Sequence, residues 1–352
     1  GLSIILGVGE TSLWELTGVY ASLSRVLKRY NKEERYDPAD FHPPYLTDAD
    51  KPKPGRNDLP LSAASIWLTY EALKKVSRPE SESGWQYFSS STGLAWKTGT
   101  SFGFRDAWAV GTTPDYVIGV WAGNADGTGR PGLTGLSAAA PVLFELAGCL
   151  PRGNWFSPPY NELAKVSVCK DSGFRAGPYC TNTEETDISA NGLKSNSCPY
   201  HKIIHLNSSL TYRVNAECAN PLTIVSKEWF ILPPAMEYYY RQKHPEYKPL
   251  PPVAPGCNTG NDIPAMEFIY PSQGITIFIP RDQSGLLTRV IAEVAHRNSS
   301  KTIYWHLDRK YLGTTKIIHM HELLAEPGNH TLSVVDEDGN SISCTFTITG
   351  KR

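Results

Sequence analysis

The chain of 352 residues has no run of about 18 apolar residues, so no segment has the length and composition of a bilayer-spanning helix. Lys and Arg (34) nearly balance Asp and Glu (35), and a net charge of −1 favours neither nucleic acid nor anionic membrane as a partner. The chain also lacks an initiator Met and a signal peptide, so we interpret it as a piece of a longer protein. Its 40% hydrophobic and 20% charged content is typical of a globular protein with two or three domains.

The most informative motif is Lys97-Thr98-Gly99, followed by Thr100. The apolar residues 94–96 lead into it and predict a buried strand. Lys97 would place a cation beside a cleft, where it favours the deprotonated form of a nearby acid. Thr98 and Thr100 are two residues apart, so on a strand both hydroxyls would face one substrate carboxylate. Gly99 has no side chain, so substrate backbone could approach the strand edge there.

Three segments carry a resemblance to a known family: residues 95–101, 104–111 and 116–127. They resemble the transpeptidase domain of penicillin-binding proteins, in particular the bifunctional (class A) peptidoglycan synthases of the 1C type. In that family they form three consecutive antiparallel strands, and the first strand carries K-T-G. Residues 2–21 are similar to the stretch that follows the family's S-x-N motif, and residues 135–147 to the helix that closes the domain.

Two further motifs of this family, S-x-x-K with the nucleophilic serine and S-x-N, do not occur before K-T-G. The string matches Ser167-Val-Cys-Lys170 and Ser189-Ala-Asn191 follow it instead, in loop-like or cysteine-bearing surroundings. We interpret both as chance matches. The resemblance therefore implies that the nucleophile and S-x-N lie upstream of Gly1, and that this chain alone is inactive.

The resemblance implies a parent enzyme of the serine D-Ala-D-Ala transpeptidase type, which works in cell-wall assembly through an acyl-enzyme. It also implies a peptidoglycan glycosyltransferase domain, of which nothing is present here. Peptidoglycan stem peptides and β-lactams are the expected partners, with cell-wall proteins as possible partners of the C-terminal domain and no nucleic acid. We expect a location at the periplasmic face of the inner membrane, with membrane contact only through an N-terminal anchor that this chain does not contain.

The resemblance also supplies site residues. The candidate catalytic residues are Lys97, Thr98, Gly99 and Thr100, with Thr98, Thr100 and Ser101 as substrate-binding residues. Lys97 would tune proton affinities, the two threonines would hold the terminal carboxylate, and the Thr100 N–H would help to bind the oxyanion. No cofactor and no metal are assigned. As an alternative, the chain is a non-catalytic module that binds cell wall or a partner protein through its C-terminal domain.

Cysteines indicate the compartment, because five of the seven cluster in a segment with few predicted elements. Clustered cysteines in such a segment predict disulfides and an oxidising compartment. We expect at least one disulfide within the first three of the cluster, and a second between the last two. Cys149 and Cys344 lie in apolar or strand-like surroundings and are expected to be buried and reduced. The clustered residues are Cys169, Cys180, Cys198, Cys218 and Cys257.

A metal site is the alternative reading of the same cysteines. Cys198-Pro-Tyr-His201, His205, Cys169 and Cys180 would supply zinc ligands. The spacing is irregular, because Cys169 and Cys180 are eleven residues apart rather than a C-x2-C pair. We therefore favour disulfides, with both histidines on a loop.

The expected fold class is mixed α/β (α+β) with three parts. Residues 1–150 are the C-terminal portion of the transpeptidase domain, with an antiparallel sheet, flanking helices and an amphipathic helix at 61–76 capped by Ser62. Residues 151–260 are a loop-rich, cysteine-containing connector with a short helix near 238–247. Residues 261–352 form an immunoglobulin-like β-sandwich, similar to the C-terminal domain of 1C-type synthases. Trp305 is expected in the sandwich core.

The sandwich is predicted from seven short apolar and β-branched runs with turn signals between several of them. These runs are residues 266–270, 276–279, 290–294, 302–307, 315–319, 330–335 and 341–348.

Overall fold

The computed structural model describes residues 9–51, 61–77, 93–151, 153–257, 263–279 and 289–349. The chain divides into two compact units. Unit 1 comprises residues 1–166 and 185–195, and unit 2 comprises residues 167–184 and 196–352. Among the described residues, no helix is both long and apolar enough to cross a membrane.

Unit 1 is built on an antiparallel three-stranded sheet in the order β1-β2-β3. Strand β1 (Ala95–Thr100) contains K-T-G, and it pairs with β2 (Asp106–Thr112), which pairs with β3 (Val117–Gly123). The prediction of three antiparallel strands over residues 94–123 is confirmed. The part of the sequence that resembles the family thus forms one continuous meander, with K-T-G on its edge strand.

Helices pack on both faces of this sheet. Helix α1 (Leu13–Glu33) contacts β3, and α2 (Ala63–Lys74) contacts β1. The opposite face carries a π-helical turn (Gly135–Ala139) that runs into α3 (Ala140–Gly148). The predicted helix at 61–76 is confirmed as α2, and the Ser62 hydroxyl accepts a hydrogen bond from the Ser65 N–H at 3.2 Å, as expected of an N-cap.

The residues of β1 alternate between these two layers. Ala95 belongs to a buried cluster with residues of α1 and α2, whereas Trp96 is fully buried against α3, with its ring 5.0 Å from that of Phe144. This alternation is the period of two expected of a strand covered on both faces. The same alternation determines which side of the sheet each of the following K-T-G residues faces.

Irregular segments connect the elements of unit 1. Residues 36–51 contain two single 3-10 turns, at Pro38–Asp40 and Asp48–Asp50. Another 3-10 turn, Tyr160–Glu162, follows Pro158 and Pro159.

The segment predicted as a loop-rich connector is more regular than its composition indicates. It contains β4 (Leu163–Cys169) paired with β5 (Thr183–Ser189), and β6 (His201–Leu206) paired with β7 (Val225–Phe230). The predicted short helix is present as α4, shifted to Pro234–Lys243. Two 3-10 turns, Ala190–Lys194 and Pro221–Thr223, complete it. Short strand pairs and cysteines organise this segment, which is why hydrophobic periodicity alone does not reveal it.

The C-terminal part of unit 2 consists of two sheets around one apolar core. One sheet has the order β13-β10-β8 and the other the order β12-β11-β14-β15-β9, in which β15 and β9 are parallel. The strands are β8 (Met266–Tyr270), β9 (Thr276–Phe278), β10 (Val290–His296), β11 (Ile303–Leu307), β12 (Lys310–Thr315), β13 (Met320–Leu323), β14 (Gly328–Asp336) and β15 (Ser341–Thr349).

Six of the seven predicted strands are confirmed in this region. The seventh, at 315–319, is wrong, because residues 316–319 connect β12 to β13 and the apolar Ile317 and Ile318 are exposed. Trp305 is fully buried in the core as expected, and its indole N–H donates to the Thr315 hydroxyl at 2.8 Å. Helices combined with antiparallel sheets agree with the predicted mixed class, and the immunoglobulin-like type of the sandwich stays a prediction.

Gly135 lets the π-helical turn lie directly on the K-T-G strand. A Cβ atom on Gly135 would come within 2.5 Å of the carbonyl oxygens of Gly99 and Trp108, and within 2.8 Å of the Thr98 Cβ. These are backbone atoms and a branched side chain, which do not move aside easily. A residue with a side chain would therefore push the turn off β1 and β2.

We predict that Gly135→Ala lowers the free energy of unfolding by about 1–3 kcal/mol, because it overpacks this contact. Chemical denaturation followed by circular dichroism measures the change. Gly148→Ala at the end of α3 is the matched control, because nothing lies within 4 Å of the added Cβ. Equal stability of the two variants would contradict the close approach.

Candidate active-site strand and a cysteine–histidine cluster

The K-T-G strand forms an edge of the sheet of unit 1, as far as the described residues go. Its first two residues, Ala95 and Trp96, are buried, and Lys97, Gly99 and Thr100 are exposed. Thr98 is half-buried. The candidate residues are therefore supported by a packed strand and open to solvent where they would meet a substrate.

The hydrogen bonds of the hairpin fix where the backbone N–H groups of β1 point. The Ser101 N–H donates to the Asp106 carbonyl at 3.0 Å, across the turn between β1 and β2. In an antiparallel pair, successive residues point their N–H and C=O groups alternately towards and away from the partner strand. Thr100, one residue earlier, therefore directs its N–H away from β2 and towards the open edge.

The Lys97 ammonium lies at this same edge. It donates a hydrogen bond to the carbonyl of Thr98. Thr98 lies two residues before Thr100, so its backbone N–H and C=O groups also point away from β2. A cation and an N–H donor therefore share one edge of the sheet. Both would act on negative charge placed beside β1.

Thr98 and Thr100 lie on the face of the strand that carries the turn at Gly135. The Thr100 hydroxyl accepts a hydrogen bond from the Gly135 N–H at 3.0 Å, so its orientation is fixed while its own proton remains to be donated. Ser101 is tied into the hairpin, because its hydroxyl accepts from the Asp106 N–H at 2.8 Å. The two threonines share a face, as the sequence predicts, whereas the bonds of Ser101 give it a structural role in the turn.

The S-x-x-K match at 167–170 and the S-x-N match at 189–191 lie on other secondary-structure elements than K-T-G. Residues 167–170 run along the end of β4, and residues 189–191 pass from β5 into a 3-10 turn. Neither sits on an α-helix, which agrees with the interpretation of both as chance matches.

The cysteines divide into three groups. Cys218 and Cys257 form a disulfide across 39 residues, as expected. Cys344 is free and buried in the sandwich, also as expected. Cys149 is free but exposed, so the prediction of burial is wrong. It is the C-cap residue of α3, and this end of the helix is open to solvent although the sequence before it is apolar.

The expected disulfide among Cys169, Cys180 and Cys198 is wrong, because all three are free thiols. They instead surround the imidazole of His201, and the four donor atoms lie within 4.8 Å of one another. The His201 Nδ1 is 3.6 Å from the Cys169 Sγ, 3.5 Å from the Cys180 Sγ and 3.4 Å from the Cys198 Sγ. His201 starts β6 rather than lying on a loop.

The surroundings give two of these thiols different acidities. Burial, together with the neighbouring Cys169 and Cys198, raises the pKa of Cys180 to about 12. Burial also opposes ionisation of Cys198, but hydrogen bonds from Ser172 and His201 outweigh it and lower the pKa of Cys198 to about 6.

His205 is not part of this cluster. It lies on the same strand as His201, is exposed, and its Nδ1 is 2.9 Å from the Ser226 hydroxyl. One sequence signal distinguishes the two histidines: a Pro-Tyr dipeptide precedes both Cys180 and His201.

Comparison with known proteins gives one matching family model and two curated relatives. Residues 256–346 match the model of the Penicillin-Binding Protein C-terminus Family. Penicillin-binding protein 1C of Escherichia coli (strain K12) is 33% identical over 149 residues, which are 42% of this chain and 17% of that protein. Penicillin-binding protein 1A of Clostridium perfringens is 26% identical over 167 residues, 45% of this chain and 20% of that protein. The chain thus spans a minor part of the length of the curated relatives it matches.

Among solved structures, the fibronectin(III)-like modules of Clostridium thermocellum CbhA match at 15% identity and a TM-score of 0.20. The match covers 25% of this chain and 99% of the module, and at this TM-score it carries no argument about the fold. The family model and the 1C relative agree with the resemblance stated from the sequence. Together they support assigning the chain to the C-terminal region of a bifunctional penicillin-binding protein of the 1C type.

Proposed function

We propose that β1 forms one wall of the active site of a serine D,D-transpeptidase that crosslinks peptidoglycan. The serine of S-x-x-K and the S-x-N motif would come from a part of the protein outside this sequence. The observation that carries the proposal is the shared edge of β1, where the Thr100 N–H and the Lys97 ammonium lie together.

The proposed reaction is acyl transfer in two steps. The serine oxygen attacks the carbonyl carbon between the two D-alanines, an ester forms, and the terminal D-alanine leaves as the amine after it gains a proton. An amine of a second stem peptide then attacks the ester and releases the serine. Covalent catalysis divides one difficult substitution into two easier ones.

Each residue at the edge has a role in this scheme. The Thr100 N–H would donate to the oxyanion that forms in both steps, because a fixed donor stabilises charge that develops only in the transition state. Lys97 would favour the deprotonated serine or lysine of the S-x-x-K motif. The hydroxyls of Thr98 and Thr100 would donate to the terminal carboxylate of the donor peptide.

The fixed geometry of β1 suits these roles. Trp96 anchors the strand on one face and Ala95 on the other, so the edge is held by packing rather than by the substrate. The hydrogen bond from Gly135 holds Thr100 before any ligand binds. Preorganised donors need no rearrangement as charge develops, which is the main requirement of an oxyanion site.

The comparisons supply the substrate class of this proposal. Both curated relatives are named penicillin-binding proteins, so β-lactams and peptidoglycan stem peptides are the proposed ligands. An extracytoplasmic location is proposed on the same ground. The disulfide between Cys218 and Cys257 agrees with it, because such bonds persist in oxidising compartments.

A binding module is the second candidate, and one feature of unit 2 favours it. A cavity of about 910 Å³ lies between residues 250–257 and the sandwich, with charged residues of both signs in its wall. Several of these charges are already paired within the protein, however. Arg297 pairs with Glu237, Lys301 with Asp338, and Asp336 accepts from Asn340. The cavity therefore leaves few polar groups for a ligand, and transpeptidation is the function that the geometry supports best.

In the complete protein, we predict that Lys97→Ala slows acylation by a fluorescent penicillin by about a hundredfold or more, because the edge loses its cation. Gel fluorescence over time gives the rate. Lys165→Ala is the matched control, an exposed lysine on β4, and should acylate at the wild-type rate. Unchanged acylation of Lys97→Ala would contradict the role given to this lysine.

This chain by itself should not be labelled covalently by a fluorescent penicillin, because it lacks the serine that would be acylated. Intact-mass measurement after incubation checks the absence of an adduct. An adduct on any serine of the chain, including Ser167, would mean that the nucleophile is present here after all.

A further inference from the structure

We propose that Cys169, Cys180, Cys198 and His201 form a structural zinc site. The proposal is independent of transpeptidation, because all four residues lie in unit 2 and K-T-G lies in unit 1. Three thiolates and one imidazole nitrogen are a donor set that zinc takes in closed structural sites.

The distances between the donors fit one tetrahedral zinc ion. With Zn–S bonds of about 2.3 Å and a Zn–N bond of about 2.05 Å, tetrahedral geometry places nitrogen and sulfur about 3.6 Å apart. The three separations from the His201 Nδ1 are 3.6, 3.5 and 3.4 Å. The three sulfurs thus lie at nearly equal distances from one nitrogen, as the ligands of a single central ion do. A disulfide would instead bring two sulfurs into contact and leave the third aside.

Burial and ligand type indicate zinc in a structural role. Cys169, Cys198 and His201 are buried and Cys180 is half-buried, so four protein donors close the site and leave no position for substrate. Catalytic zinc keeps one such position open. Soft thiolates with one imidazole favour zinc over magnesium or calcium, which prefer oxygen ligands.

The groups around the donors are those that support a metal site. The His201 Nε2 is 3.4 Å from a carboxylate oxygen of Asp171, so the ring can donate to Asp171 while Nδ1 faces the sulfurs. The Gly177 N–H donates to the Cys180 Sγ at 3.3 Å, and the Ser172 hydroxyl donates to the Cys198 Sγ at 3.2 Å. Such donors stabilise negative sulfur and orient it.

Backbone hydrogen bonds hold the donors in place. The Cys198 N–H donates to the Arg175 carbonyl at 2.8 Å, and the Cys169 N–H donates to the Phe174 carbonyl at 2.8 Å. The Cys180 N–H donates to the Gly177 carbonyl at 3.1 Å. The site thus joins the end of β4, the turn that follows it and the start of β6.

The site would replace an apolar core in a segment that has little of one. The apolar cluster at the β6–β7 hairpin has three buried residues, Ile204, Leu206 and Ile231, and three partly buried ones packed against them, Trp229, Leu250 and Ile263. Segments of this size often depend on a metal or a disulfide for stability, because they bury too little apolar surface. The Cys218–Cys257 disulfide lies in the same region of the sequence.

The test is metal analysis of the purified 352-residue chain by mass spectrometry, with zinc and iron measured together. We expect about one zinc per chain. Cys198→Ser and His201→Ala should lose it, whereas the matched controls Cys149→Ser, an exposed cysteine, and His205→Ala, a histidine of the same strand, should retain it. Iron in place of zinc, or full zinc in both ligand variants, overturns the proposal. If the chain is purified without metal, it is titrated with zinc under reductant, and failure to bind overturns it equally.

Two further measurements test the site even if the ligand variants do not fold. Asp171→Asn keeps all four ligands, and its zinc affinity should fall by about ten- to a hundredfold in competition with a chelator. In the native wild type, alkylation without reductant should spare the three cluster cysteines until a chelator is added. Unchanged affinity in Asp171→Asn, or a peptide map that links any two of Cys169, Cys180 and Cys198 by a disulfide, contradicts the site.

Discussion

The pairing of β1 with β2 is the constraint on which the proposed active site depends. The two strands pair over six residues, and the hydrogen bond from the Ser101 N–H to the Asp106 carbonyl continues this register into the turn. That register decides which backbone groups are used within the sheet and which are left at its edge. A slip of one residue would turn the Thr100 N–H inwards and exchange the faces of Thr98 and Gly99. The chemistry of K-T-G is therefore a property of the strand pairing as much as of its side chains.

Much of the fold can be predicted from the sequence where burial is regular. The runs around Met266–Tyr270 and Ser341–Thr349 combine apolar alternation with turn signals, and both are strands. The capped helix α2 follows from Ser62 and apolar spacing. The prediction of a strand at 315–319 is wrong because β-branched residues also occur in exposed connections, as Ile317 does. The sequence shows which residues favour strands, but it does not show which segments pair with a neighbouring strand.

The two sites differ in how much of each the sequence reveals. K-T-G lies on one strand of six residues, so its geometry follows from local structure. The residues of the cysteine–histidine cluster are spread from 169 to 201. Only the tertiary structure determines whether two of these cysteines form a disulfide or all three lie around the imidazole of His201. Spacing favoured disulfides because Cys169 and Cys180 do not form a short pair. The direction of the Thr100 N–H was equally out of reach, because it depends on the register with β2.

The disulfide between Cys218 and Cys257 has a consequence for how the protein matures. Its two cysteines are 39 residues apart and must find each other while five other thiols are present. Thiolates exchange with disulfides through mixed intermediates, so every accessible thiol is a competitor during oxidation. Burial removes Cys344 from this competition once the sandwich has formed, and the convergence of Cys169, Cys180 and Cys198 on His201 removes three more. Correct oxidation of one pair would then rest on the order in which the surrounding segments fold, with Cys149 as the thiol left accessible to oxidants.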